Sequence, residues 1–194
     1  MSSSQATNPL GMLNLGVDEW NQWRSQVPNR EPVIESRPPR INLREVYLRQ
    51  AHLPRVNLSL ADCCMADLRS ANLCDADLRE ALFYTANLSY ARLDRANMMG
   101  ADLREVSLHD ASLQTATLNA AVLTHADLTR GILREAQLRQ ADLRHASLNQ
   151  SDACMAQFAE ADLAWADLSN TALYTSDLSR CNLTSATLNN ADLR

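Results

Sequence analysis

The sequence predicts an all-β fold, a solenoid whose chain turns every five residues. Three observations predict it. Residues 41–194 divide into consecutive fives without a gap. The centre of each five is nearly always Leu, and the position two before it is nearly always Ala. Aromatic residues make up only 5% of the chain and glycines number four, so the core cannot be the usual mixture of rings and branched side chains.

The register comes first. From Ile41 the chain reads INLRE, VYLRQ, AHLPR, VNLSL, ADCCM, ADLRS, ANLCD, ADLRE, and it keeps step to the ADLR that closes on Arg194. Leu fills 26 of the 31 centres from 43 to 193; Cys63, Phe83, Met98, Ala153 and Phe158 fill the rest. Ala stands two before the centre in 22 of the 31, and Asp or Asn stands between them in 17, which fixes a motif of A[DN]LxX. A period of five is neither the 3.6 of a helix nor the plain alternation of a strand. The two apolar positions are two apart, so both point to one side of an extended segment. The other three face outward, and the chain must turn before the next Ala. Many such corners in series make a solenoid.

Tandem A[DN]LxX over residues 41–194 resembles the pentapeptide repeat family. The resemblance implies a right-handed quadrilateral β-helix with four pentapeptides per coil, hence about eight coils here. At a coil spacing of roughly 4.8 Å the rod would be about 37 Å long. Residues twenty apart then stack in adjacent coils. Face one carries centres 43, 63, 83 and onward; face two starts at 48, face three at 53 and face four at 58. Small Cys63 stacks on large Phe83, and Ala153 precedes Phe158 in its coil, so core volume is conserved.

Residues 1–40 read as a flexible tail, a short helix and a proline-rich connector. Leu13, Val17 and Trp20 fall at helical spacing over residues 13–27. Val17, Trp20 and Trp23 are expected to cap the first coil, as terminal repeats of a solenoid require. At the other end Leu183, Leu188 and Leu193 would lie in a terminal coil with nothing over them. That predicts tail-to-tail homodimerisation, which the gyrase-protecting members of the family also imply.

Composition narrows the function. An apolar fraction of 46% excludes a disordered chain. The 18 basic residues are all Arg and face 23 acids, and the net charge of −5 argues against direct nucleic-acid binding. No apolar run is long enough to cross a membrane. The opening MSSSQATNPLG carries no signal-peptide pattern, so the expected location is cytoplasmic.

Catalytic and cofactor chemistry find no foothold. There is no glycine-rich phosphate loop, and convex faces offer no pocket. The five Cys are spaced neither as a disulfide framework nor as a zinc site. His125 and His145 stack on face one with Trp165 next in the column. A metal would need a third ligand; Asp142 and Asp162 stand in a neighbouring row, but the expected arrangement is a mixed, solvated ladder with no metal. The Arg–Glu neighbours Arg44–Glu45, Arg79–Glu80, Arg104–Glu105 and Arg134–Glu135 are expected to form surface charge pairs.

Two binding readings follow. Face one has six acids against three Arg and is the most acidic. It also collects Leu82, Tyr84 and Trp165 beside Asp102, Asp142 and Asp162. That strip, with His125 and His145, is the candidate face for a protein partner, and the favoured function is a non-enzymatic interaction scaffold. The alternative, implied by the resemblance, is a DNA mimic that binds DNA gyrase. Duplex DNA of the same length carries about 22 negative charges, far more than this rod.

Overall fold

The computed structural model describes residues 41–194 and, ahead of them, Leu13, Asp18, Glu19 and Gln22. From residue 42 onward the second residue of each pentapeptide forms a parallel bridge with the residue twenty positions later. Asn42 pairs with Asp62, Asp62 with Leu82, and the pattern continues to Ala172 with Asp192. A coil therefore takes four pentapeptides, and the bridges stand in four columns, one per face.

The extended segments are shorter than strands. Each face carries a single bridged residue, flanked on one side by a two-residue turn. A period of five leaves no room for more. The turn closes with a hydrogen bond from the first residue of the next five to the central carbonyl, as from Val46 N–H to Leu43 O at 3.3 Å. Its last residue has a positive φ. Glu45 sits at 57°, and every fifth residue through Asn190 follows it, only Gly100 among them being a glycine. Each non-glycine there carries a steric cost. It is offset because the same residue donates to the coil above, as Glu45 N–H does to Cys64 O at 3.0 Å.

The donors of one repeat can be followed completely. In the repeat from Ala61, Asp62 N–H bonds Ile41 O at 2.8 Å, Cys63 N–H bonds Leu82 O at 2.8 Å, and Met65 N–H bonds Tyr84 O at 3.0 Å. Ala61 N–H closes the preceding turn on Leu58 O. One donor remains, on Cys64, and the Asp62 carboxylate accepts it at 3.1 Å. This is the physical reason for Asp or Asn at that position. The same bond recurs at all 17 such sites, from Asn42 to Asp192. A half-buried N–H left unpaired would be costly.

The core is a stack of leucines and alanines. Leu48 to Leu173 and their Ala partners are essentially solvent-free. Phe83 and Phe158 are fully buried, with Cys63 and Ala153 buried beside the compensating positions. Four polar side chains stand in place of Ala, at Ser151, Thr171, Ser176 and Cys181. Ser176 donates its hydroxyl to Leu173 O at 2.7 Å. Thr171 donates its hydroxyl to Leu148 O at 2.8 Å, and Cys181 donates its thiol to Phe158 O at 2.9 Å. Ser151 is buried, and its hydroxyl has no hydrogen-bond partner among the described residues.

The two ends differ. Leu13, Asp18, Glu19 and Gln22 are helical, and Leu13 is buried against the core cluster. The capping residues expected from the sequence, Val17, Trp20 and Trp23, lie outside the described residues. In the last coil Leu183 and Leu188 are half-buried against the core, and Leu193 is 57% exposed.

Candidate protein-interaction face

Extended geometry decides the charge pattern. In ADLR repeats the Asp and Arg are two apart and project on the same side. The Asp carboxylate then takes both the backbone N–H and the guanidinium fork of its own Arg. Arg79 reaches Asp77 at 2.8 and 2.7 Å, Arg104 reaches Asp102 at 2.8 and 2.6 Å, and Arg144 reaches Asp142 at 2.8 and 2.7 Å. The neighbouring Arg guanidinium holds Asp67, Asp77, Asp102 and Asp142 below the usual carboxylate range.

This corrects the expected Arg–Glu neighbours. Arg44 pairs with Asp62, Arg79 with Asp77, Arg104 with Asp102 and Arg134 with Asp152. The adjacent Glu is the left-handed turn residue, and its side chain leaves the corner in another direction. The correction also weakens the acidic strip, because Asp62, Asp102 and Asp142 each hold a guanidinium.

Face one brings its candidates together in two groups. Tyr84 donates to Glu105 at 3.3 Å, and the Arg104 guanidinium lies 5.5 Å from the Tyr84 ring centre. Leu82 is half-buried beneath them in the bridge column between Asp62 and Asp102. Two coils further on, His125 and His145 stack with centres 4.8 Å apart, and His145 and Trp165 stack at 6.2 Å. Trp165 ends this column of rings and is 60% exposed. Asp142 and Asp162 run alongside in the bridge column. Among the described residues, no group of three or more His, Cys, Asp or Glu side chains is arranged to hold a metal ion.

A second constellation lies on face two. Arg130 contacts both Asp110 and the Nε2 of His109, the latter at 2.8 Å, while His109 Nε2 is 3.0 Å from Asp110. The Tyr90 ring meets His109 edge-on at 6.0 Å. These residues occupy three successive coils and two adjacent columns. Asp110 and Arg130 share one column, twenty apart, while His109 meets Tyr90 and Arg130 diagonally, at separations of 19 and 21, which a column-by-column reading of the sequence passes over.

The faces are not uniformly convex. A shallow open groove of about 390 Å³ on face four is lined by Asn119, Arg139, Gln140, Ala159 and Glu160. It forms where Ala159 interrupts a column of longer side chains. Gln140 donates to Glu160 across it at 2.9 Å. The cysteines are free thiols, and Cys64 and Cys74, although at outward positions, are buried under neighbouring columns. Cys74 lies 3.7 Å from a carboxylate oxygen of Asp94. No helix among the described residues is long and apolar enough to cross a membrane.

This geometry defines a class, the four-sided solenoid built from pentapeptides. The family model described as pentapeptide repeats matches the chain with eight copies, over residues 41–79, 66–105, 81–119, 121–154 and 156–194. The chain belongs to the pentapeptide repeat family. Among solved structures it is similar to a trypsin-treated variant of QnrB1, a plasmid-mediated fluoroquinolone resistance protein. That match has 17% identity, covers 75% of this chain and 78% of the other, and has a TM-score of 0.59. It is also similar to HetL of the cyanobacterium Nostoc sp. strain PCC 7120, a pentapeptide repeat protein involved in heterocyst differentiation regulation. There the identity is 28%, the coverage 88% and 92%, and the TM-score 0.49. No curated protein matches the chain.

Proposed function

We propose that the protein is a non-enzymatic scaffold or regulator that binds a protein partner through face one. One observation carries this reading. The column His125, His145, Trp165 presents an ordered ring ladder that ends on a 60% exposed indole. Exposed Trp is enriched at binding hot spots, and nothing in the repeat's own packing requires a ring there. The frame of the proposal is a right-handed rod of about eight coils, working in the cytoplasm, with a helical cap that includes Leu13. Homodimerisation through Leu183, Leu188 and Leu193 belongs to the same proposal and is supported by the exposure of Leu193.

Charge separates this reading from the gyrase-binding DNA mimic. A mimic needs unneutralised carboxylates along its axis, yet on face one Asp62, Asp102 and Asp142 are already paired with Arg. The test is affinity capture of the tagged protein from its native lysate, with Trp165→Ser as the paired control. The expected result is a partner recovered by the native protein, whose affinity falls by about 1 kcal/mol or more in the variant. Recovery of a topoisomerase equally well by both proteins would overturn the reading in favour of the mimic.

A further inference from the structure

We propose that the partner docks an arginine side chain on the outer face of Trp165, beside Asp162. This rests on face one being the partner face and names the chemistry it takes.

The ring column shows a next rung with no ring in it. Successive left-handed positions on this face are His125, His145, Trp165 and Ser185. One face of the indole lies against His145, parallel within 9°. The other looks along the column toward Ser185, whose side chain is too short to cover it, and the indole is accordingly 60% exposed. A planar group entering there would continue a stack whose geometry the backbone has already fixed.

Charge selects the kind of planar group. Arg144 is bound through its fork to Asp142 at 2.8 and 2.7 Å. The same guanidinium reaches Asp162 only at 3.9 Å. One cation thus serves two carboxylates. One oxygen of Asp162 accepts from Ala164 N–H at 3.0 Å and from Asn182 Nδ2 at 2.9 Å. Among the described residues its other oxygen has only the distant Arg144. Asp162 lies on the same pentapeptide as Trp165, with only the small Ala164 between their outward positions, and its side chain is 38% exposed. The site therefore offers an open indole face and a carboxylate short of one cation. A guanidinium satisfies both, since it is planar, stacks on indole and carries a fork matched to a carboxylate. An ammonium supplies the charge without the stacking plane, and a neutral ring supplies the plane without the charge.

The test uses a small probe, N-acetyl-arginine amide, on the full chain. The indole N–H resonance of Trp165 is identified by its loss in Trp165→Phe. Arginine amide is expected to move it saturably in the millimolar range, and more strongly than the matched lysine amide. Asp162→Asn is expected to weaken the arginine response roughly twofold to fivefold, the size of an exposed charge pair. A resonance that does not saturate, equal responses to arginine and lysine, or an unchanged response in Asp162→Asn would each overturn the proposal. If the arginine probe fails while Trp165→Ser still abolishes capture of a partner, this inference falls and the scaffold reading stands. If both fail, face one is not the partner face.

Discussion

The imidazoles of His125 and His145 lie parallel to within 4°, with 4.8 Å between ring centres. That distance equals the spacing of hydrogen-bonded chains in a sheet. The rings are spaced by the backbone beneath them, and their mutual attraction is secondary. The same backbone seats Trp165.

His145→Ala should therefore leave the rod standing and change the surroundings of the indole. The expected loss of stability is less than about 1 kcal/mol. The near-ultraviolet dichroism assigned to Trp165 should drop sharply. An unaltered signal would mean that the stack does not form in solution.

The side-chain cap on each repeat's unpaired N–H should be worth measuring one at a time. Asp127 accepts the N–H of Thr129 at 3.0 Å and holds no guanidinium among the described residues, so it isolates the cap from the ion pair. Asp127→Ala should cost about 0.5–2 kcal/mol, by analogy with helix N-caps. Asp127→Asn keeps the accepting oxygen and should cost much less. Urea unfolding of the two variants decides the matter.

Core volume is shared between coils, so substitutions there should couple. Cys63→Leu adds bulk against Phe83 and should destabilise by about 1–3 kcal/mol. Phe83→Leu alone removes bulk from a fully buried site. The double variant should be more stable than the sum of the two, and a double-mutant cycle would read the difference. Strict additivity would show that the two positions do not exchange volume.

Acid should weaken the rod through the ADLR repeats. Asp67, Asp77, Asp102 and Asp142 have folded pKa values below their unfolded ones because each is bonded to its own Arg. A depressed carboxylate contributes fully above its unfolded pKa, about 3.9, and loses that contribution as pH falls through the folded value. Stability should hold from neutral pH to about pH 5 and then decline below about pH 4. Replacing Arg69, Arg79, Arg104 and Arg144 by Gln should make the decline shallower, by denaturant midpoint against pH.

The last coil makes a separate prediction. Leu193 is 57% exposed beside half-buried Leu183 and Leu188. Sedimentation at micromolar concentration should give a dimer, and Leu193→Asp should return the mass to that of one chain. A monomer before substitution would remove self-association from the proposed function.

The solenoid was legible because its core uses two residue types at fixed spacing. Leu at the centre and Ala two before it report the inside of the coil directly. The Asp or Asn between them was visible as a preference, but its cause lies in a backbone donor that only the turn geometry leaves unpaired. Arg44 and Glu45 were misread for the same reason: adjacency in sequence says nothing about a corner that sends two side chains different ways. The ring column of His125, His145 and Trp165 was legible because all three share one column at separations of twenty. His109 was missed because its contacts with Tyr90 and Arg130 run diagonally between columns, whereas the pairing of Asp110 with Arg130 lies within one column and was open to the same reading as the rings.

The bridge register of twenty makes the surface an address system. A residue's face is its position modulo twenty, while its fitness for the core is its position modulo five. An extra pentapeptide between His125 and His145 would satisfy every core position. It would also carry everything after it a quarter of the way around the rod, moving Trp165 to a different face and parting it from His125. Four added pentapeptides would restore the alignment with the rod one coil longer. Gene-level duplication in units of one repeat can thus rewrite which surfaces meet a partner without disturbing the interior, and duplication in units of four lengthens the rod while keeping each column intact.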